Sequence, residues 1–360
     1  MGVHKKRGVK IAAAVVLILL AAFLLLIGVL TVTEYRPEDV EQVEITGDVT
    51  KTLSQGDTFT VLTWNIGYGA LSETADFFMD GGEHVRSSSR EQVTENVSSI
   101  ATKLRELDAD IMYLQEVDRS SKRSYYVDEL EYATRALTDY ESTFAANYKV
   151  LYVPYPLPTI GKVDCGIATL SSYPLSDSER ISLPCPFSYP IRLCNLKRCL
   201  LVDRIPVEGT DHELVLVNLH LEAYDDGEGK EAQTKQLQTL LQEEAQKGNY
   251  VIAGGDFNQS FSNYDNSAYP IINEDMWVPG EVDVEAFGEE FQFVTDNTTP
   301  SCRSLDRPLA GNDSSPEQFQ YYMIDGFIVS SNVKIHSVET KDLGFEHADH
   351  NPIVMEVLIE

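Results

Sequence analysis

The chain has 360 residues, of which 43% are hydrophobic and 24% are charged. A chain of this length can bury a full core without disulfide or metal cross-links. Its 57 acidic residues outnumber the 28 basic ones and give a net charge of −29. So acidic a surface repels polyanions and argues against tight, non-specific binding of nucleic acid, which needs clustered lysine and arginine.

The N-terminus has the pattern of a membrane anchor. The basic residues Lys5, Lys6, Arg7 and Lys10 precede an uncharged, apolar segment from Ile11 to Val32. About 22 apolar residues span a hydrocarbon core of ~30 Å as a helix, and the basic flank stays in the cytoplasm. We therefore predict a cytoplasmic tail (1–10), a transmembrane anchor (11–33) and an extracellular remainder.

A cleavable signal peptide is the alternative for this segment. Signal peptides have an apolar region of roughly 7–15 residues that ends in a small-residue cleavage site. The segment here is longer and is followed by Glu34 and Tyr35. An uncleaved anchor is therefore favoured, and with either alternative the rest of the chain leaves the cytoplasm, as a membrane-bound or a secreted protein.

Residues 34–57 are polar and acidic with little periodicity, which predicts a stalk between the membrane and a single domain over 58–360. Alternating or continuous runs of β-branched and aromatic residues in that domain predict strands. The predicted strands are 59–66, 111–114, 166–171, 200–207, 214–221, 250–253, 323–329, 333–338 and 353–359. We expect 200–207 to pair with 214–221, and 323–329 to pair with 333–338.

Two helices are predicted between these strands. One begins near Ser89, where Val93, Val97, Ile100 and Leu104 follow helical spacing. The other covers 230–246, with Gly248 as its stop signal. Many strands and few helices predict an α/β domain in which two sheets pack face to face with the helices outside.

The five cysteines leave two alternatives open. Cys185, Cys194 and Cys199 are clustered, so one disulfide could form among them in an oxidising compartment, but the pairing cannot be deduced from sequence. Buried free thiols are the other alternative. A zinc site is not supported, because the cluster has neither a Cys-x-x-Cys pair nor a neighbouring histidine.

Polar residues interrupt or end the apolar strands at several places. Burial of a carboxylate or an imidazole costs several kcal/mol unless a partner or a metal compensates. A single asparagine or aspartate of this kind predicts a turn or a cap, and a single histidine predicts a hydrogen-bonded core residue, but the repetition predicts a site. The residues are Asn65, Glu116, His220, Asp256, Asn258, Asp325, Asp349 and His350. Carboxylate and amide oxygens suit Mg²⁺, and histidines beside acids suit proton transfer.

These residues stand in motifs that resemble the endonuclease/exonuclease/phosphatase superfamily, which includes DNase I-like nucleases, neutral sphingomyelinases and inositol polyphosphate 5-phosphatases. The motifs follow the family's order from residue 59 to the end of the chain. They are Trp64-Asn65, Gln115-Glu116, Asn218-Leu219-His220, Gly255-Asp256-Phe257-Asn258, Ile324-Asp325 and Asp349-His350.

The resemblance implies a four-layer α/β sandwich that uses one or two Mg²⁺ (or Mn²⁺) ions. It implies that Asn65, Glu116 and Asp349 lie at the metal, with Glu116 as the principal ligand. It further implies that Asp256 and Asn258 orient water and phosphate, that Asp325 orients His350, and that His220 contacts the phosphate or serves the leaving group. The general base is left open.

Two features depart from the family pattern or extend it. Ala348 replaces a serine that often precedes Asp-His, which removes a hydroxyl group but no ligand. The stretch 281–315 lacks a clear counterpart in the better-known nucleases and is interpreted as a substrate-side loop. Arg123 and Arg303 are candidate phosphate contacts, although an ordinary surface arginine is the simpler interpretation of each.

The sequence leaves three candidate functions. The favoured one is a monomeric, metal-dependent phosphoesterase at the cell surface that acts on a lipid headgroup or another small phosphoester, since the anchor holds the domain near lipid. An anchored nuclease is the second, and the acidic charge disfavours it. A non-catalytic binding module on the same scaffold is the third, and the complete set of site residues argues against it.

Overall fold

A computed structural model describes residues 2–225, 227–274 and 276–360. Within these ranges the helices are α1 (Gly2–Val32), α2 (Arg90–Leu107), α3 (Glu129–Ala136) and α4 (Glu228–Gln246). Short 3₁₀ turns cover Gly67–Gly69, Phe78–Asp80, Ile191–Cys194 and Val284–Phe287.

The strands are, in chain order, β1 (Val40–Gln42), β2 (Leu53–Ser54), β3 (Thr58–Asn65), β4 (Ile111–Asp118), β5 (Glu141–Val153), β6 (Gly161–Ser171), β7 (Asp177–Ser182), β8 (Cys199–Glu208), β9 (Glu213–His220), β10 (Tyr250–Asp256), β11 (Gln259–Phe261), β12 (Gly280–Val282), β13 (Phe291–Val294), β14 (Cys302–Arg303), β15 (Tyr321–Tyr322), β16 (Asp325–Ser330), β17 (Val333–Thr340) and β18 (Ile353–Ile359).

Two mixed sheets form the centre of the domain. One has the strand order β17-β18-β3-β4-β6-β5, and the other has the order β1-β7-β8-β9-β10-β16-β13, with β2 paired to β8. Alternate residues of β18 (Ile353, Met355, Val357 and Ile359) are buried in the core between the sheets, as expected for a strand with one face inward. The hydroxyl group of Tyr113 crosses this core and donates to the carbonyl of Ile252 at 2.9 Å.

Helices cover the outer faces of both sheets. Ile100 and Leu104 of α2 and Ala133 of α3 pack on the β3–β4–β6 face, whereas Leu237 and Leu241 of α4 pack on the β8–β9–β10 face. The predicted α/β sandwich of four layers is therefore confirmed. The helix predicted to begin near Ser89 is also confirmed. It is α2, and the Ser89 side chain caps it by accepting a hydrogen bond from the backbone N–H of Gln92.

Helix α1 is long and apolar enough to cross a membrane, a property that signal sequences near an N-terminus share. Residues 34–57 differ from the expected free stalk. In this segment β1 extends one sheet by pairing with β7, β2 pairs with β8, and Leu53 is buried in the core. These strands are too short for their alternation to stand out in an acidic stretch.

The predicted pairing of 323–329 with 333–338 is wrong. Strand β16 pairs with β10 and β13 in one sheet, whereas β17 pairs with β18 in the other. The chain passes from one sheet to the other through Ser331 and Asn332, so the two segments are neighbours in sequence but not in a sheet. All five cysteines lie in the described ranges and are free thiols. Cys165, Cys199 and Cys302 are buried, as the second alternative expected, whereas Cys185 is exposed and Cys194 is half-buried.

The strand directions bring the polar strand ends together. Strand β3 runs parallel to β4, and β9 runs parallel to β10. The carboxyl ends of these four strands meet at one end of the sandwich. They carry Asn65, Glu116, His220 and Asp256.

Candidate active site

A bulge in β4 sets the orientation of the Glu116 side chain. The register between β4 and β6 shifts between Leu114 and Val117, and Glu116 has a φ of 56°. A bulge of this kind changes the direction of a side chain, and the left-handed conformation is costly for a residue other than glycine. The bulge allows Gln115 to bond Asn218 across the core at 2.9 Å while the side chain of Glu116 lines the cleft.

Asn65 at the end of β3 links two of the carboxylates. Its Nδ2 atom donates to Oδ2 of Asp256 at 2.9 Å and to Oε1 of Glu116 at 3.3 Å. Its Oδ1 atom accepts from the backbone N–H of Gly67 at 3.1 Å, which fixes the orientation of the amide. Asn65 is therefore held by three contacts, one each with Glu116, Asp256 and Gly67.

Asp256 has site residues on both sides because of strand register. It lies opposite His220 in the parallel pair β9–β10 and opposite Asp325 in the antiparallel pair β10–β16. The backbone N–H of Asn258 donates to Oδ1 of Asp256 at 2.8 Å, and the Asn258 amide donates to the carbonyl of Leu221 at 2.9 Å. Burial and the nearby Asp325 raise the pKa of Asp256 to about 7.

His350 is bonded to Asp325. Its Nδ1 atom lies 2.8 Å from Oδ2 of Asp325, and its Nε2 atom lies 3.8 Å from Oδ2 of Asp256. The indole N–H of Trp64 donates to the backbone carbonyl of His350 at 2.9 Å and helps to fix the segment. Burial alone would lower the pKa of His350, but the Asp325 carboxylate and the neighbouring Cys302 together outweigh it and hold this pKa well above its usual value.

His220 is in the opposite protonation state. Burial, together with the nearby guanidinium of Arg198, lowers the pKa of His220 well below its usual value. Its Nε2 atom is 3.5 Å from Oδ2 of Asp256, so this carboxylate has a neutral imidazole on one side and the protonated His350 on the other. Groups whose pKa values are displaced in opposite directions are typical of acid–base sites.

Asp349 provides the strongest sign of a cation site. Its Oδ1 atom is buried and has no hydrogen-bond partner among the described residues. Burial raises the pKa of Asp349 to about 7, and the negative charge of Glu116 adds to the increase. The unpartnered oxygen of Asp349, the Glu116 carboxylate and the Asn65 amide together form a donor set that suits Mg²⁺ or Mn²⁺.

A second group of possible ligand atoms comes from Asp256, Asp325 and His350, which lie within 4.8 Å of one another. In this group Nδ1 of His350 is already bonded to Asp325, so the pair suits proton transfer better than metal coordination.

These residues lie in a cleft with a cavity of about 280 Å³. Apolar side chains form much of its wall, among them Phe77, Met79, Met276 and Trp277. The hydroxyl group of Tyr224 donates to Asp80 at 3.0 Å, which joins the loop after β9 to the loop after β3 at the cleft. A cleft of this volume with apolar walls and a few polar groups can hold a small molecule.

Both candidate arginines are buried, so the surface interpretation of each was wrong. Arg123 pairs with Asp118 at 3.0 Å and stacks on Tyr68 with its guanidinium carbon 3.6 Å from the ring centre. Arg303 donates to the backbone carbonyls of Ser304 (2.7 Å) and Ser72 (2.6 Å). Each lines the cleft, but its guanidinium already has protein partners.

The structure thus brings all eight predicted strand-end residues to one site. Sequence reasoning missed other residues of the cleft wall, because tyrosine, arginine and tryptophan at these positions give no local signal. They are Tyr68, Asp80, Arg198, Glu222, Tyr224 and Trp277. The one available signal was Glu222, an acid two residues after His220.

Comparisons with solved structures show the same fold at low identity. An endonuclease/exonuclease/phosphatase from Beutenbergia cavernae is 14% identical, with a TM-score of 0.56 over 84% of this chain and 72% of that one. Truncated Caenorhabditis elegans TDP2 is 15% identical, with a TM-score of 0.51 over 84% and 99%. The human Nocturnin catalytic domain with bound sulfate is 16% identical, with a TM-score of 0.50 over 89% and 97%.

The chain matches no curated protein sequence. A family profile described as "Endonuclease/Exonuclease/phosphatase family" matches residues 62–341, which is most of the chain and includes all of the site residues above except Asp349 and His350. The chain belongs to the endonuclease/exonuclease/phosphatase family.

Proposed function

We propose that the chain is a membrane-anchored, divalent-metal-dependent phosphoester hydrolase that acts on a lipid headgroup or another small phosphoester. Members of its family are generally phosphoester hydrolases and typically depend on divalent metal. One observation carries the proposal. Four carboxylates and two histidines converge at the base of one apolar-walled cleft, and Oδ1 of Asp349 has no hydrogen-bond partner there within the described part of the chain.

Asn65, Glu116 and Asp349 are the residues that would hold the metal. Bound there, a divalent cation supplies positive charge that offsets the negative charge on the phosphoryl oxygens and the leaving group. The same charge would relieve the repulsion between Glu116 and Asp349 that helps to raise the pKa of Asp349.

The remaining polar residues suit an in-line attack of water on phosphorus. The protonated His350, held by Asp325, stabilises negative charge or donates a proton. Asp256 and Asn258 are bonded to one another and orient water and phosphate. The neutral His220 is available to contact the phosphate or to serve the leaving group.

The substrate assignment rests on the cleft wall and on charge. Phe77, Met79 and Trp277 offer apolar surface to a substrate, and no lysine is found among the described residues that line the cleft. Its three arginines, Arg123, Arg198 and Arg303, are each bonded to protein groups. A nucleic acid backbone would find few free cations here, which disfavours the anchored nuclease.

Hydrolysis by the full chain in detergent, with and without Mg²⁺ or Mn²⁺, tests the proposal. The substrates are a bis-aryl phosphodiester, sphingomyelin, phosphoinositides and plasmid DNA. His350→Ala is the inactive variant, and His336→Ala, at an exposed histidine of β17, is its matched control. We expect metal-dependent turnover that only His350→Ala loses, with a lipid or small phosphoester preferred over DNA.

Faster hydrolysis of DNA than of the lipids and the small phosphodiester would favour the anchored nuclease over the lipid phosphoesterase. The absence of turnover from folded, metal-loaded protein would overturn the enzyme assignment and favour the binding module.

A further inference from the structure

Large apolar side chains are exposed on two loops beside the cleft. Leu151 and Tyr152 lie in the last residues of β5, Tyr155 and Leu157 lie in the turn between β5 and β6, and Leu157 is 86% exposed. Tyr189 and Ile191 lie in the loop between β7 and β8, with 52% and 61% exposed. Contiguous exposed apolar side chains usually mark an interaction surface. We call these six residues the apolar rim.

The two loops of the apolar rim form one surface. The hydroxyl group of Tyr148 donates to the carbonyl of Cys194 at 3.0 Å, and Sγ of Cys194 lies 3.9 Å from the carbonyl oxygen of Tyr152. The 3₁₀ turn Ile191–Cys194 is thereby held against the end of β5, so Ile191 and Tyr152 belong to adjoining segments.

The apolar rim lies at the same end of the sandwich as the active site. Val153 at the end of β5 pairs with Gly161 at the start of β6, and β6 begins beyond the end of β4 that carries Glu116. The ring of Tyr155 contacts that of Phe78, 6.1 Å between centres, next to the cleft residues Phe77 and Met79.

The apolar helix α1 ends on these loops. It contacts both β5 and the turn Ile191–Cys194, and Leu30 in its last turn is buried. The hydroxyl groups of Thr31 and Tyr189 are 3.3 Å apart. If α1 spans a bilayer, the end of the helix lies at the membrane surface. The apolar rim is next to that end, so it lies at the membrane surface too.

Positive charge surrounds the point where α1 ends. The Glu34 carboxylate has three cationic neighbours: Arg36 at 2.8 Å, Arg192 at 3.2 Å and Lys197 at 3.7 Å. The Lys149 ammonium group lies 5.9 Å from the ring centre of Tyr35. The three cations share the one Glu34 carboxylate, so this ion-pair cluster keeps a net positive charge, while Glu41 and Asp164 also lie near Tyr35. A net positive charge of this kind attracts the phosphates of lipid headgroups.

We propose that the apolar rim inserts into the headgroup region of the bilayer that α1 spans, so that the cleft opens towards the lipids of that same membrane. The partner is an anionic phospholipid surface. Tyrosine and leucine side chains suit the boundary between headgroups and acyl chains, and the surrounding cations suit the phosphates. The consequence for the substrate rests on the proposed hydrolase activity, whereas the contact with the bilayer rests only on α1 as the proposed membrane anchor.

Fluorescence quenching in brominated lipid tests the contact without any activity measurement. The full chain is reconstituted into vesicles of phosphatidylglycerol and phosphatidylcholine, with the latter either plain or brominated. Leu157→Trp places a probe on the apolar rim. Gln246→Trp, at the exposed end of α4 on the opposite end of the sandwich, is the matched control. The native Trp64 and Trp277 give a background that the unsubstituted chain measures.

We expect brominated lipid to reduce the added emission of Leu157→Trp by at least about twofold and to leave that of Gln246→Trp unchanged. Equal quenching at the two positions would overturn the proposal. A chain that does not stay with the vesicles would overturn it too, because α1 would then not define a membrane level.

A second measurement links the contact to catalysis. We expect the double variant Tyr155→Ser/Leu157→Ser to lose about tenfold in turnover of bilayer phospholipid relative to turnover of a soluble bis-aryl phosphodiester. Equal loss on both substrates would contradict the link. If the unsubstituted chain hydrolyses neither substrate, the proposed function fails, while the quenching result still decides whether the apolar rim meets the membrane.

Discussion

Nδ1 of His350 lies 2.8 Å from Oδ2 of Asp325, and both side chains are buried at the end of the sandwich where the other site residues converge. Asp325 is on β16, whereas His350 lies three residues before the start of β18 in the other sheet. The pair therefore joins the two sheets at the active site. Its charge state is central to the proposed chemistry.

Asp325→Asn removes the carboxylate that keeps the pKa of His350 high. Burial then dominates, the pKa of His350 falls, and the imidazolium is lost at neutral pH. We expect turnover of a bis-aryl phosphodiester at pH 7 to fall by roughly 10²–10⁴-fold and to recover in part at lower pH. NMR titration of His350 checks the pKa, and Asp177→Asn on β7 is the control. An unchanged pKa or full activity would contradict this role.

Glu116→Gln tests the cation site by stability as well as by activity. The substitution removes one of two neighbouring carboxylates, so the metal-free protein should keep or slightly raise its Tm. The increase in Tm that Mg²⁺ or Mn²⁺ produces should be lost, with affinity weakened at least roughly tenfold. Calorimetric titration and thermal unfolding measure both effects. Glu95→Gln on the exposed face of α2 should behave like the unsubstituted chain, and a metal response retained by Glu116→Gln would exclude it as a ligand.

Gly255→Ala tests the close approach of strands next to Asp256. Gly255 has a φ of +150°, and a Cβ atom there would lie 1.9 Å from the carbonyl oxygen of Leu219. Because that contact is with backbone, we expect the free energy of unfolding to fall by about 3 kcal/mol or more. Gly56→Ala, with a φ of +91° and open space around it, should cost only about 1 kcal/mol of conformational strain. Denaturant unfolding compares the two, and similar losses would show that the contact is relieved easily.

Glu244 should make stability depend on acid pH. Hydrogen bonds from Arg204, Lys247 and Asn249 outweigh the effect of burial and lower the pKa of Glu244 to about 2. Since the folded pKa is below the unfolded one, the stabilisation is fully present above about pH 4.5 and is lost as pH falls towards 2. Glu244→Gln should therefore cost about 1–2 kcal/mol at pH 7 and much less near pH 2, allowing for solvent screening.

Urea unfolding at several pH values measures this dependence. Glu243→Gln, one residue away on the exposed side of α4, is the matched control and should have little effect at any pH. A Glu244→Gln deficit that is the same at pH 7 and pH 3 would show that packing, rather than charge, accounts for the loss.

The presence of most strands and the start of α2 could be predicted, because both depend on residues that are close together in the sequence. Alternating or continuous apolar residues define a strand, and a serine followed by helical spacing defines a cap. Strand partners could not be predicted in the same way. The assignment of β16 and β17 to different sheets depends on which neighbours bury their apolar faces, and nothing within either segment specifies that.

The sequence alone is enough to identify the family motifs, the strand-end positions of residues such as Glu116 and His350, and the apolar length of α1. Three other features became visible only in the folded chain. Asp256 lies between two imidazoles whose pKa values are displaced in opposite directions, Arg123 and Arg303 are buried with protein partners, and α1 ends beside the cleft. Protonation, burial and membrane level depend on contacts between residues far apart in the chain, whereas helix and strand signals depend on near neighbours.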